Sequence, residues 1–384
     1  MTYKIISSDS HVFEPPDLWV TRLPVNYRDR APHVVYGTGE EPDYWYIDGK
    51  RSASMAVGAE PGKRFEGQEK LRLEAKQSEV LKGAYIPGEK LKDMALDGVW
   101  GEVVYPTVML GFWRSSKRDL VNEVIKVYNT WIAEFAGAYP DRIKALGIVD
   151  LYDIAEGIKE VQRCAKLGLV GALINVHPGE GNEYSLPMYD PFWAAAQDCN
   201  ISLSLHLGAN RYPPNFPPEK REKEEFSQLF ATPSLHSTTP HWPQLSIADM
   251  IFAGVFERYP KLKVLSVENE VAWAAHFIRL MDYTYSQRTI RPNWRRFKPG
   301  VLPSDFFHSN VLVSFQEDDL GVRLRDIIGV ENLMWGSDYP HQESTFPKSR
   351  EFLAKMFQGV PEAEQAKIAC WNTAKLYGFN PPAQ

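Results

Sequence analysis

The chain of 384 residues carries 43 Lys plus Arg against 49 Asp plus Glu, a net charge of −6, with 44% hydrophobic residues. That balance gives no electrostatic reason to expect a nucleic acid or an anionic membrane as partner, because both reward a basic face, and no apolar run approaches the ~18 residues of a spanning helix. Three dispersed cysteines, Cys164, Cys199 and Cys370, exclude a disulfide framework and a thiolate zinc site, and the N-terminus enters a strand-like run without a signal layout, so a cytoplasmic location is expected.

In chain order, short apolar and β-branched runs predict eight strands. They are Tyr3 to Ser8, Glu102 to Tyr105, Ile143 to Ile148, Val170 to Val176, Ile201 to Leu205, Leu262 to Val267, Val311 to Ser314 and Leu333 to Gly336. Helical periodicity fills the intervals near Leu120 to Gly137, Ile154 to Leu167, Tyr189 to Asn200, Ser246 to Tyr259, Val271 to Gln287 and Leu320 to Ile328. This alternation predicts a (β/α)8 TIM barrel occupying residues 1–384 as one domain. A doubly wound sheet competes, but no Gly-x-Gly-x-x-Gly turn follows any strand. Two stretches interrupt the pattern, at about 19–88 after the first strand and 208–243 after the fifth. The first contains a hairpin signal around Tyr44 to Arg51, and the second holds seven prolines. Loops after barrel strands lie on the catalytic face, so both read as a lid or a substrate-selecting wall, with an oligomer contact as the alternative.

The polar residues at strand ends carry the functional signal. The first strand ends in Asp9-Ser10-His11, the fourth in His177, the fifth in His206, the sixth in Glu268 and the eighth in Asp338. Period-2 alternation puts Asp9 and His11 on one face, and barrel geometry aims strand ends at a common mouth. Imidazole and carboxylate without thiolate form a donor set for Zn, Fe or Mn. His341 and Glu14, three residues beyond Asp338 and His11, are within reach of the same point. The remaining histidines, His33, His236, His241, His276 and His308, read as loop or packing groups.

These residues resemble the amidohydrolase-related family. The resemblance rests on Asp9-Ser-His11-Val-Phe-Glu14-Pro, His206, the Glu268-Asn-Glu-Val-Ala-Trp273 segment with Arg279-Leu-Met-Asp282, and Trp335-Gly-Ser-Asp338-Tyr-Pro-His341, which together span nearly the whole chain. The branch it resembles includes the aminocarboxymuconate-semialdehyde and resorcylate decarboxylases. It implies a distorted barrel with a divalent metal at the mouth, ligated by Asp9, His11, His206 and Asp338, and a homo-oligomer. One departure stands out: where those decarboxylases carry a sixth-strand His acting as acid and base, this chain has Glu268.

Four ligands suffice for one ion, and Glu268, His177, His341 and Glu14 are enough for a second. Three enzymatic readings follow. A metal-activated water, with Glu268 or Asp338 as base and His177 or His341 polarising the substrate, makes a hydrolase, the expectation placed first. A dinuclear Fe/Fe or Fe/Mn monooxygenase supplied by a reductase comes second, and a decarboxylase third. An inactive partner subunit of an active paralogue is the non-enzymatic alternative. The cofactor expected is one or two divalent metals, Zn if mononuclear and Fe or Mn if dinuclear. The aromatics Trp19, Tyr44, Trp45, Tyr46, Phe112, Trp113, Tyr212 and Phe216 near strand-following loops point to a small apolar or aromatic substrate or to ordinary packing, and Arg114 and Arg211 are candidate anchors for a substrate carboxylate.

Overall fold

In the computed structural model the described residues are 2–47, 49–72, 74–114, 118–209, 233–288, 294 and 296–382. Eleven strands are described: β1 (Ile6–His11), β2 (His33–Val35), β3 (Tyr44–Ile47), β4 (Lys50–Ser54), β5 (Gly101–Tyr105), β6 (Ile143–Ile148), β7 (Gly171–Ile174), β8 (Ser202–His206), β9 (Val264–Val267), β10 (Val311–Phe315) and β11 (Leu333–Trp335). Eight of them form one parallel sheet in the order β1-β5-β6-β7-β8-β9-β10-β11. Helices lie between its strands, and the sheet curls into a (β/α)8 barrel. The remaining three, β2-β3-β4, form a small antiparallel sheet inside the first insertion, with the expected hairpin between β3 and β4.

The strands form where they do because every residue of β5, β7, β8 and β9 is buried, so each run is covered on both faces. The helix Arg118–Gly137 covers one side by burying Leu120, Val121, Val124, Ile125, Tyr128 and Ile132 at helical spacing. Its Asn129 amide continues the bonding of the sheet, donating to Ile148 O at 2.9 Å and accepting from Ile148 N at 2.7 Å. Two helices expected as continuous are split. Gly254, at φ 70°, separates His241–Phe252 from Val255–Arg258, and Leu324 lies between Asp319–Arg323 and Arg325–Ile328. Among the described residues no helix is long and apolar enough to cross a membrane.

The first strand lies three residues later than its sequence predicts, and this positions the site. All six residues of β1, including Ser7, Ser8, Asp9, Ser10 and His11, are buried. From Ser7 to Ser10 the strand advances three residues while β5 advances two, from Glu102 to Val104. That bulge re-aims the side chains beside it. The seam between β11 and β1 is closed by individual bonds rather than a ladder. Asp338 N donates to Asp9 O at 2.9 Å, Ser337 N to Ser7 Oγ at 2.8 Å and Ser8 Oγ to Trp335 O at 3.0 Å. The approach is close enough that only glycine fits at 336, where a Cβ would stand 2.5 Å from Asp9 Cβ.

Gly336→Ala is therefore expected to force the seam apart, costing about 1–3 kcal/mol in urea unfolding and lowering bound metal. An unfolding curve matching the parent would mean that the seam has slack.

Candidate metal centre

β1, β8 and β11 meet at the barrel mouth, and their exits bring five metal-capable side chains together. Asp9, His11 and His206 form one group of donor atoms lying within 4.8 Å of one another, and His11, Asp338 and His341 form a second. His11 Nε2 stands 3.5 Å from Asp9 Oδ1 and 3.4 Å from Asp338 Oδ1, and His206 Nε2 is 3.3 Å from Asp9 Oδ1. Donors bound about 2.1 Å from one ion in a tetrahedron are separated by about 3.4 Å, so these spacings fit a shared cation.

The imidazoles are oriented for that role. His11 Nδ1 lies 2.7 Å from Pro106 O and His206 Nδ1 2.6 Å from Leu207 O, so each ring donates its Nδ1–H to a backbone carbonyl and presents the Nε2 lone pair. His341 is turned the other way. Thr107 Oγ1 holds its Nε2 at 3.0 Å, leaving Nδ1 at 2.8 Å from Asp338 Oδ1. Despite that separation both Asp338 oxygens, like His11 Nε2, are buried without a hydrogen-bond partner. Buried polar atoms in proteins are nearly always paired, so atoms that converge on one point without bonding to each other fit a cation. Asp338 leaves its strand with φ 58°, as does Glu268, a left-handed conformation uncommon outside glycine and concentrated at functional sites.

The electrostatics agree. Burial, then the neighbouring His341 and His206, push His11 well below the usual imidazole range, and burial with His206 lowers His341 to about 4. Burial opposes charge on His206, but Asp9 and Glu268 raise it to about 9. Burial and then Asp338 hold the Glu268 carboxyl well above its ordinary value, and burial and then Asp9 do the same for Asp338. Like charges are being forced together, and a bound cation reverses that logic.

Three further expected residues are placed differently. Glu14 lies outside both donor groups. Its carboxylate accepts from Val108 N at 2.9 Å and Met109 N at 3.1 Å, so it braces the loop after β5. His177 also lies outside both groups, with Nδ1 accepting from Gly179 N at 3.1 Å and its ring beside Trp242. Glu268 stands next to the donors rather than among them, its Oε2 3.5 Å from His206 Nδ1, with 17% of its side chain exposed. Of the aromatics, Trp19 and Trp45 pack edge to face in the core of the first insertion. Arg211, Tyr212 and Phe216, and the side chains of Phe112, Trp113 and Arg114, lie outside the described residues.

Sequence reasoning missed two contributors. Thr107 lies two residues past β5, a strand-exit position that could have flagged it. Arg64, from the first insertion, donates through Nε to Ser344 O at 3.0 Å and pairs with Glu317, and its charge slightly offsets the rise that burial and Asp9 impose on Asp338. The same insertion reaches the β11 exit again where Gln342 Nε2 donates to Arg72 O at 2.7 Å.

A family model described as Amidohydrolase matches residues 114–379. The chain belongs to the amidohydrolase family. A gamma-resorcylate decarboxylase from Rhizobium sp. (strain MTP-10005) is 25% identical over 271 residues, 66% of this chain and 76% of that one. Two crystal structures share the family's fold. An amidohydrolase from Mycobacterium avium subsp. paratuberculosis K-10 superposes with a TM-score of 0.77 at 21% identity, covering 98% of this chain and 100% of that one. A dihydroxybenzoic acid decarboxylase from Polaromonas sp. JS666, solved with bound manganese and the inhibitor 2-nitroresorcinol, gives 0.64 at 17% identity, covering 98% and 97%.

Two predictions follow from the supports of the centre. Thr107→Val removes the hydroxyl that fixes His341 and is expected to weaken metal binding roughly ten- to hundredfold in chelator competition, with the fold intact; unchanged affinity would place His341 outside the centre. Burial, only partly offset by the backbone N–H groups of Val108 and Met109, raises Glu14 to about 7 from 4.5. Between those values the native chain binds more protons than the unfolded one, so the contribution of Glu14 to stability declines as pH rises and is lowest above 7. The parent should therefore lose stability relative to Glu14→Gln as pH rises from 4.5 to about 7, and parallel unfolding profiles would disprove this.

Proposed function

We propose that this chain is a divalent-metal-dependent decarboxylase that releases CO2 from a small aromatic or conjugated acid. The observation that carries it is a single converging donor set, Asp9, His11, His206, Asp338 and His341, in a chain similar to named decarboxylases. Both donor groups include His11, whose Nδ1 is committed to Pro106 O. The remaining Nε2 has one lone pair and cannot bridge two ions, so the two groups do not make two separate three-ligand centres, which favours one. This departs from the dinuclear arrangement that a monooxygenase requires. Manganese in the Polaromonas relative supports a hard divalent ion, which suits the carboxylates of the donor set.

A bound cation supplies positive charge that draws and polarises the oxygens of the acid. The chain's own groups do the rest. When the carbon–carboxyl bond breaks, its electron pair stays on carbon and a proton must close the new C–H bond. Where the resemblance implies a histidine for this step, Glu268 stands beside His206 and is the group placed to hold and deliver that proton. Its partly open side chain gives a route for re-protonation from solvent. The same carboxylate favours hydrolysis as the second reading, since it is placed to accept a proton from an attacking water.

The test is product analysis on manganese-loaded protein offered 2,6-dihydroxybenzoate and 5-carboxyvanillate. CO2 release without oxygen uptake is expected, and Glu268→Gln should abolish it while leaving the metal bound. Turnover of an ester, amide or lactone with no CO2 from either acid would replace the proposal with hydrolysis, and oxygen-dependent turnover would replace it with oxygenation.

A further inference from the structure

The residue His177 combines three properties that packing alone does not explain. It is 8% exposed, its Nδ1 accepts a hydrogen bond from Gly179 N, and its Nε2 is buried without a partner. Because Nδ1 is the acceptor, the neutral ring carries its proton on Nε2. The result is a buried N–H donor with nothing to donate to. Such a donor is costly to maintain, and at a strand exit that admits a ligand or a water it has a partner to gain.

Register says where this donor is placed. Leu173 of β7 pairs with Ser204 of β8, and Ile174 with Leu205. Both strands end there, β7 at Ile174 and β8 at His206, so His177 leaves the sheet three residues past β7, at the same barrel end as His206. The chain remains anchored there, with Val176 N donating to Ala209 O at 3.0 Å and Val176 O accepting from Ser246 Oγ at 2.6 Å. His177 thus lies just beyond the exit of β7, next to the segment that follows His206 at the exit of β8. Its ring packs against the Trp242 indole at a centroid distance of 5.6 Å, which adds an apolar wall beside the polar donor. An N–H donor next to an aromatic face suits an anionic or hydroxyl oxygen carried on a flat apolar body.

We infer that His177 Nε2–H binds an oxygen of the substrate acid, most simply its carboxylate or an adjacent hydroxyl, and sets the orientation of the ring above the metal centre. This rests on the decarboxylase reading for the identity of the acid, but not for the existence of the donor. His177 is then a substrate-binding residue and not a metal ligand. Replacing it should leave metal content unchanged and weaken acid binding, a combination that a general loss of structure would not give.

The experiment measures binding of 2,6-dihydroxybenzoate to manganese-loaded protein by calorimetry, for the parent, His177→Leu and His177→Gln. The expected result is binding weakened roughly ten- to hundredfold in His177→Leu, restored to near the parent value in His177→Gln, whose amide N–H reaches the Nε2 position, with metal content equal in all three. Equal affinity in the parent and His177→Leu overturns the inference. If His177→Leu does not fold, 15N NMR of the histidine rings in the zinc-loaded parent decides: the His177 Nε2 signal should shift as the acid saturates, and a signal that stays still while the acid binds overturns the inference. If the parent does not bind 2,6-dihydroxybenzoate, the aromatic-acid reading fails separately, and the same NMR titration is run with benzoate and maleate. A shifted Nε2 signal with either acid supports the donor role, and no shift with any acid overturns it.

Discussion

Three carboxylates and three imidazoles crowd the mouth of this barrel, and the cost of burying like charges together is the constraint on which the rest of the structure depends. Asp9, His11, His206 and Asp338 are nearly inaccessible, so water cannot screen them. Left to themselves, the carboxyls of Asp338 and Glu268 rise and the imidazoles of His11 and His341 fall, while Asp9 and Glu268 against burial raise His206. A divalent cation removes the conflict, because it stabilises the carboxylates as anions and the imidazoles as neutral donors. The polar atoms left unpaired on His11 and Asp338 and the tautomers set by Pro106 and Leu207 are parts of one solution to that problem.

The barrel's construction follows from the need to hold this cluster still. β1 contributes two of the donors from inside the strand, and the bulge between Ser7 and Ser10 allows the donors to converge while the ladder with β5 continues on either side. Serine hydroxyls carry much of the closure, because Ser7, Ser10 and Ser337 bond to one another and Ser8 joins Ser314. Small polar side chains permit the close approach of β1 to β11 while satisfying one another, which bulky aliphatic residues could not do.

The strands and the donors were legible because both are local signals. Apolar runs marked all eight barrel strands, and the position of Asp9, His11, His206 and Asp338 at their ends was enough to bring them together. β1 was placed too early because Asp9, Ser10 and His11 are polar and short of β-branched residues, and only the pairing of Ser10 with Val104 and His11 with Tyr105 of β5 makes the segment strand. Glu14 stands apart from the donor groups for a related reason. Sequence distance from His11 says nothing about which backbone N–H groups its carboxylate meets, and those of Val108 and Met109 lie 94 and 95 residues away. Arg64 was invisible because a charged insertion offers many arginines and no periodicity to single one out.

The loop after β5 has a consequence of a different kind. Four consecutive residues, none of them among the metal-capable donors, act on the site: Pro106 O fixes His11, Thr107 fixes His341, and Val108 and Met109 N–H take up Glu14. Three of the four act through backbone atoms, so the bonds they make do not depend on side-chain identity, while the buried side chains of Val108 and Met109 are held by packing. Thr107 is the exception. In evolutionary terms a single hydroxyl gained or lost at position 107 would retune metal retention without altering any ligand. Divergence among homologous barrels could then proceed through metal affinity first and ligand identity later.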